Sequence, residues 1–309
     1  MCNSIDTPLV SIVCNTFNHV DYIRQCLDGF LMQETNFSIE ILVHDDASSD
    51  GTAEIVREYE ARYPGLIKPI YQTENQYSKG VKVTLEYQYS RVKGKYIALC
   101  EGDDYWTDPL KLQKQVDFLE THKEFVMCSH VVDSYIEDEH IQKKWGVQDA
   151  QEYNISTLIY GLWLFHPLSV VFRFNAIDVE KYHRYKSSKD MTLFYHLLSA
   201  GKGYYMSDNM AVYRKHSGGI WTSSSFTERM MSNYHYTKDL YDVEHSDLAL
   251  AYMCEKCIGH LGRRTLLRFY SVSLGVLKIY TTHYGIKAGL SLFYNNFLLG
   301  KDLQPWRTE

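Results

Sequence analysis

Over roughly its first 120 residues the chain alternates short apolar runs with segments of helical period, and that alternation narrows its possible folds more than any other feature. The runs are Leu9 to Cys14, Glu40 to Val43, Leu66 to Tyr71 and Tyr96 to Cys100. Near-continuous apolar runs of this length suit strands covered on both faces. After the first run, Asn18 reads as an N-cap ahead of Val20, Ile23, Leu27 and Phe30 at helical spacing. Ser48 to Gly51 reads as a turn capping a second helix with Ile55, Val56 and Tyr59 inward. Thr73 to Gly80 is a polar loop, and Val81 to Val92 reads as a third helix. Asp108 and Pro109 open a fourth, striped by Leu112, Val116 and Leu119. The repetition predicts an α/β fold, Rossmann-like, with a mostly parallel central sheet, right-handed crossovers and flanking helices. Neither G-x-G-x-x-G after the first run nor G-x-x-x-x-G-K-[ST] anywhere is present, which argues against dinucleotide and P-loop chemistry.

Two of the runs end in carboxylates. Tyr96 to Cys100 leads into Glu101, Gly102, Asp103 and Asp104, followed at once by Tyr105 and Trp106. Ile39 to Val43 leads into His44, Asp45 and Asp46. Ligands of open α/β sheets bind at the carboxyl ends of strands, so two acidic turns there read as one site built from two loops. Carboxylates so crowded repel one another unless a cation sits between them. Mn²⁺ or Mg²⁺ fits, since either is held by one or two carboxylates with a substrate's phosphates completing the shell. Asp103 and Asp104 are the leading metal candidates; a solvated acidic turn is the bland alternative.

Three stretches together, Val10 to Asn18 (VSIVCNTFN), Glu40 to Thr52 (EILVHDDASSDGT) and Glu101 to Trp106 (EGDDYW), resemble the family 2 glycosyltransferases of GT-A fold, in order and at that family's spacing. The resemblance runs from about residue 8 to 220. It implies a metal-dependent, inverting enzyme that moves a sugar from a nucleoside diphosphate, UDP by default, to a hydroxyl of a glycan or lipid-linked acceptor in surface polysaccharide synthesis. Glu101, Gly102 and Asp103 stand at the family's DxD-type motif, with Glu where Asp is commoner.

The resemblance also distributes roles. Asp46 stands where the family accepts a hydrogen bond from uracil, though an Asx-turn residue would look the same. Phe17 stands where relatives often carry Tyr to stack on the base, or is simply a core residue. Asn15, Thr16 and Asn18 belong to the same substrate-binding loop, and Asp45 to the acidic turn. Asp190, opening the apolar segment Asp190 to Ala200 that Gly201 closes, stands at the position of the general base. The family often has an acidic pair there, and Lys189 replaces its first member. An N-cap would also favour Asp. In Arg214-Lys215-His216, followed by two glycines, His216 is a candidate third metal ligand or phosphate contact, and Arg214 and Lys215 are candidates to neutralise the leaving group. A basic surface turn is the alternative, and Lys79 has a weaker claim of the same kind.

The net charge of -6 argues against nucleic acid as a partner, which would usually require a basic face. Seven scattered Cys, no basic-then-apolar leader and no run near ~20 apolar residues predict a cytoplasmic protein with reduced thiols. Cys254, Cys257 and His260 lack a fourth ligand for structural zinc and read as helix residues.

The expected division is a catalytic domain over 1–224, with a donor half over 1–122 and an acceptor half over 123–224, then a helical region over 225–309. Phe125 to Ile136 and Ser169 to Phe174 read as strands, Tyr204 to Tyr213 as strand and turn, and Glu137 to Asn154 as a loop or excursion. His166 to Ser169 joins Asp190 on the acceptor side. The C-terminal helices, Met230 to Leu240, His245 to Ile258, Arg264 to Tyr280 and Ile286 to Leu299, carry Leu266, Leu267, Phe269, Tyr270, Val276, Leu277, Leu290, Leu292, Phe293 and Phe297, with Arg263, Arg264, Lys278 and Lys287 nearby. That surface suits a homo-oligomer, peripheral contact at the inner membrane face, or packing on the catalytic domain. Two rival functions share the acidic strand ends. A nucleotidyltransferase would want a basic Gly-rich loop where CNTFNH stands; a non-catalytic nucleotide- or glycan-binding protein would have no need of Asp190.

Overall fold

The computed structural model describes residues 7–136, 141–145, 149–160, 166–186, 189–219, 224–254, 256–257 and 270–293. The chain forms two units. The first comprises Met1–Leu158, Leu162–Tyr182 and Leu193–Thr222; the second comprises Ile159–Gly161, His183–Thr192 and Ser223–Glu309. The segment carrying Asp190 thus groups with the helical region.

The first unit is built on one sheet. The four apolar runs become β1 (Val10–Thr16), β2 (Ile39–Asp45), β3 (Ile67–Tyr71) and β4 (Tyr96–Leu99), joined in the order β3-β2-β1-β4 and all parallel. β3 is the edge strand, where Pro69 costs no interior ladder bond. Helices α1 (Ile23–Leu31), α2 (Thr52–Arg62) and α3 (Lys111–Thr121) alternate with these strands. Val10, Ile12 and Cys14 pack with Leu27, Phe30, Val56 and Leu112 in one core, and the intervening Ser11 and Val13 are buried as well. Both faces of β1 are therefore covered, as its apolar run requires.

Antiparallel strands extend this parallel core. β9 (Val171–Arg173) lies between β4 and β6 (Phe125–Ile136), β10 (Lys202–Lys215) runs parallel to β6, and β5 (Tyr105–Trp106) pairs with β10. The segment expected to be a loop over Glu137 to Asn154 contains two strands, β7 (Ile141–Trp145) on β6 and β8 (Gln151–Tyr153) on β10. Their sequences, IQKKW and QEY, show no apolar run, and it is the pairing partners that make them strands.

Two helical expectations also change. Asn18 is not an N-cap: it takes the left-handed φ of 55° that Asn tolerates, and α1 begins at Ile23. Its backbone N–H donates to Ser48 Oγ (2.9 Å) and its Oδ1 accepts from the Ser49 N–H (2.9 Å), so it ties two loops together. Residues 81–92 form a widened π turn over Thr84–Gln88 and a tight turn over Tyr89–Arg91 rather than a regular helix. β-Branched Val81, Val83 and Thr84 weaken the helix start. The side chains of the segment are spent on strand carbonyls: Gln88 donates to Cys14 O (3.0 Å) and Leu42 O (3.1 Å), and Arg91 to Lys68 O (2.7 Å) and Val43 O (2.9 Å). α3 starts at Lys111, with Asp108 Oδ1 accepting from the Leu110 N–H (2.8 Å).

Short helices α4 (Ile155–Tyr160) and α5 (Val179–Arg184) precede α6 (Asp190–Ala200). In the second unit, α7 (Phe226–Glu244) opens with a reciprocal capping box between Ser225 and Glu228, four residues ahead of the expected start. It is followed by α8 (Asp247–Cys254), α9 (Tyr270–Tyr284) and α10 (Ile286–Phe293). Met230, Leu250, Met253, Cys254, Cys257, Val272, Val276 and Tyr280 form this unit's own core. Part of the apolar stripe expected to dock elsewhere is used here, while Ile286 and Leu290 stay 72% and 64% exposed. Arg263, Arg264, Leu266, Leu267, Phe269, Phe297 and His260, and the side chains of Tyr270 and Leu292, lie outside the described residues. Among the described residues no helix is long and apolar enough to cross a membrane.

Candidate active site

The carboxyl ends of β1, β2 and β4 lie side by side, because parallel strands deliver their following loops to one edge of the sheet. The last residues of β10 come to the same place: the Arg214 N–H donates to Asp104 Oδ1 (2.8 Å), and His216 Nε2 lies 3.2 Å from Asp103 Oδ2.

The end of β1 and the loop after it carry four expected residues, Asn15 and Thr16 in the strand and Phe17 and Asn18 beyond it. Asn15 Nδ2 donates to Thr84 Oγ1 (2.9 Å) and approaches Glu101 Oε1 at 3.5 Å. Thr16 is buried, and its hydroxyl has no hydrogen-bond partner among the described residues. Phe17 is 42% exposed, so its ring is a surface feature of the loop and not a core residue. At the end of β2, Asp45 Oδ2 accepts from the Ser48 N–H (3.2 Å), Oδ1 is buried without a partner among the described residues, and burial raises the carboxyl above its ordinary pKa. Both Asp46 oxygens are occupied, accepting the backbone N–H groups of Gln76 (2.8 Å) and Tyr77 (2.9 Å). Asp46 thereby organises the loop that carries Lys79, and Lys79 itself pairs with Glu74 at the surface.

After β4, Glu101 is exposed. Gly102 is required by close approach, since a Cβ there would lie 2.7 Å from Thr16 Oγ1 and 2.9 Å from His19 Nδ1. Burial alone would raise Asp103, but the His216 hydrogen bond and the nearby His19 and His216 hold it below the usual carboxylate range. Asp104 goes the other way: it is fully desolvated beside the Asp103 charge and is pushed well above its ordinary value.

Several participants were not singled out from the sequence. His19 Nε2 lies 3.9 Å from Asp103 Oδ2, and burial lowers its pKa against the pull of that carboxylate. Tyr22 packs on His216 with ring centroids 4.7 Å apart. Lys111, wholly buried, donates to Gln115 Oε1 (2.7 Å) and lies 4.2 Å from the centre of the Trp106 ring. Gln115 in turn donates to Ser169 O (2.8 Å), and Trp106 Nε1 to Leu168 O (2.9 Å). This polar strut fixes the chain just beyond the carboxylates. Polar side chains at 19, 22 and 25 recur at helical spacing, and that was the available signal for the first two. Nothing local distinguishes Lys111 from a surface lysine.

Among the described residues no three His, Cys, Asp or Glu side chains converge as a ready-made metal cage. The pair Asp103 and His216 offers one carboxylate oxygen and one imidazole nitrogen, donors that suit Mn²⁺ when phosphates and water complete the shell. Asp104 directs one oxygen at a backbone N–H instead.

Asp190 groups with the second unit, at the first turn of α6. Its carboxylate touches solvent, yet the protein packed around it raises its pKa, with Lys189 pulling the other way. His166 stacks on Tyr213 at 4.3 Å.

The sequence profile described as glycosyl transferase family 2 matches residues 11–185. The chain belongs to that family. Its relatives among known proteins include an uncharacterised protein of Mycobacterium tuberculosis, 38% identical over 229 residues. That alignment takes in 71% of this chain but only 62% of the mycobacterial protein's length. An Escherichia coli UDP-Glc:alpha-D-GlcNAc-diphosphoundecaprenol beta-1,3-glucosyltransferase is 34% identical over 133 residues, 43% of this chain and 49% of the relative. Among solved structures, S. aureus TarS in complex with UDP-GlcNAc superposes with a TM-score of 0.64 at 17% identity, over 89% of this chain and 80% of that one. A Pyrobaculum calidifontis mannosyltransferase in complex with GDP-Man and Mn2+ gives 0.57 at 16% identity, over 98% and 85%. Both share the GT-A fold with this family 2 member.

Proposed function

We propose that this chain is a metal-dependent, inverting glycosyltransferase that moves a sugar from a nucleoside-diphosphate sugar, UDP by default, to a hydroxyl of a glycan or lipid-linked acceptor. The observation that carries this reading is the Asp103–His216 pair at the shared end of the parallel strands. Asp103 and His216 would hold Mn²⁺ or Mg²⁺, which supplies neutralising charge for a diphosphate leaving group. The exposed Phe17 ring offers a face for a base, and the unpartnered Asp45 Oδ1 and Thr16 Oγ1 offer buried hydrogen-bonding groups nearby in sequence and strand register. Asp46 shapes the neighbouring loop through two backbone N–H groups. Asp190 is the proposed base that takes the acceptor's proton; the protein around it raises its pKa above that of an ordinary aspartate, which favours proton acceptance. The glucosyltransferase named above, whose name gives a diphosphoundecaprenol-linked acceptor, supports the lipid-linked acceptor.

The test is to incubate the protein with a panel of nucleotide sugars, with and without Mn²⁺, and to follow release of free nucleotide. Metal-dependent release of a nucleoside diphosphate is expected. Pyrophosphate release instead would indicate nucleotidyl transfer, and no turnover with tight nucleotide binding would indicate a binding protein.

A further inference from the structure

Arg214 was expected to offer its charge to a leaving group, but its side chain is committed elsewhere. Nη1 donates to the main-chain carbonyl of Asp103 (2.7 Å), and Nη2 donates to Gln25 Oε1. The guanidinium carbon lies 4.4 Å from the centre of the Tyr105 ring and 5.1 Å from that of Tyr22. Its own backbone N–H holds Asp104 Oδ1, and the residue is only 9% exposed. A planar guanidinium lying against two aromatic rings, with its fork on fixed oxygens, has lost most of its freedom to follow a ligand.

We infer that Arg214 is a positioning residue for the metal site: it fixes the Asp103–Asp104 peptide so that the Asp103 carboxylate meets His216. The inference rests on the metal reading given under Proposed function. Arg214 touches the acidic loop twice, through its backbone to Asp104 and its side chain to the Asp103 carbonyl, and His216 follows two residues later, just past the end of β10. One residue therefore sets both donors. The Gln25 and Tyr22 contacts brace the guanidinium against α1 and the turn before it, so the donor pair is tied to that helix entrance. Without the brace, the Asp103 peptide is free to rotate, and each metal-binding event must order it. Partners of this kind, one step behind the ligands, are worth about 10–100-fold in metal affinity.

The test uses the full chain and three variants, Arg214→Met, Arg214→Lys and Gln25→Ala. Mn²⁺ alone is titrated by electron paramagnetic resonance, and UDP is titrated by calorimetry in EDTA. Arg214→Met is expected to weaken Mn²⁺ binding about 10–100-fold while UDP affinity in EDTA stays at the wild-type level, which also shows that the variant is folded. Arg214→Lys is expected not to rescue, because an ammonium cannot stack and fork at once. Gln25 is exposed, so Gln25→Ala removes one brace without threatening the fold and should weaken Mn²⁺ binding in the same direction by less. Loss of metal-free UDP binding with Mn²⁺ affinity intact would make the guanidinium a phosphate ligand and overturn the inference. Unchanged Mn²⁺ affinity in Arg214→Met and Gln25→Ala overturns it too, leaving the metal reading standing. Wild-type protein that binds no Mn²⁺ either alone or with UDP present overturns both.

Discussion

His216 Nε2 lies 3.2 Å from Asp103 Oδ2, across 113 residues of sequence. The contact joins the end of β10 to the loop after β4 and places a nitrogen donor beside the acidic motif. Asp103→Asn and His216→Ala should each weaken Mn²⁺-supported UDP binding at least ~10-fold, as loss of one of few protein donors does, and leave metal-free binding intact. Calorimetry with and without Mn²⁺ checks this. Unchanged metal-supported affinity in both variants would remove the metal from this place.

Gly102 is where the acidic loop touches the loop after β1. Its missing side chain admits Thr16 Oγ1 at 2.7 Å and Thr16 Cβ at 2.8 Å from where a Cβ would stand. Gly102→Ala forces backbone apart and should cost about 1–3 kcal/mol of stability, the usual range for overpacking. Denaturant unfolding measures it. A neutral result would mean that the two loops separate freely.

Asp190→Asn keeps shape but cannot take a proton. Transfer should fall by ~10²–10⁴, the contribution of a positioned base, while UDP affinity stays near wild type. Because the protein around Asp190 raises its pKa, the acid limb of the rate profile should lie above that of an ordinary aspartate. Activity is present when the carboxylate is ionised and is lost as pH falls through the folded-state pKa. Near-normal transfer by the Asn variant would leave Asp190 as a first-turn helix residue alone.

Lys111 gives a stability prediction. Burial lowers its pKa from an ordinary 10.5 to about 7. Between those values the unfolded chain binds more protons than the folded one, so stability from this group rises with pH across the window, by at most about 1.4 kcal/mol per unit. Lys111→Met removes the effect. The variant's stability relative to wild type should be greatest near pH 7 and should decline toward pH 10.5. A constant difference across that window in thermal melts would show that Lys111 is not held neutral.

The parallel half of the fold was legible because its signals are local. Val10 to Cys14 and Tyr96 to Cys100 carry their strand character in consecutive residues, and Leu112, Val116 and Leu119 carry theirs in one helical stripe. β7 and β8 were not legible: IQKKW and QEY become strands only by pairing with β6 and β10. Asn18 misled for a related reason, since its left-handed backbone is held by Ser48 and Ser49 of another loop and not by the helix it was expected to cap.

The sequence by itself determined that apolar strands end in carboxylates at one edge of an α/β sheet, because periodicity and turn chemistry belong to neighbours along the chain. Only the tertiary structure decided what those carboxylates do. Asp46 spends its oxygens on the Gln76 and Tyr77 amides, Asp104 turns to the Arg214 N–H, and Asp103 faces His216. The physical reason is that a carboxylate's pKa and free lone pairs depend on the donors and the solvent exclusion around it. At Asp103 and Asp104 those donors come from a strand more than a hundred residues away.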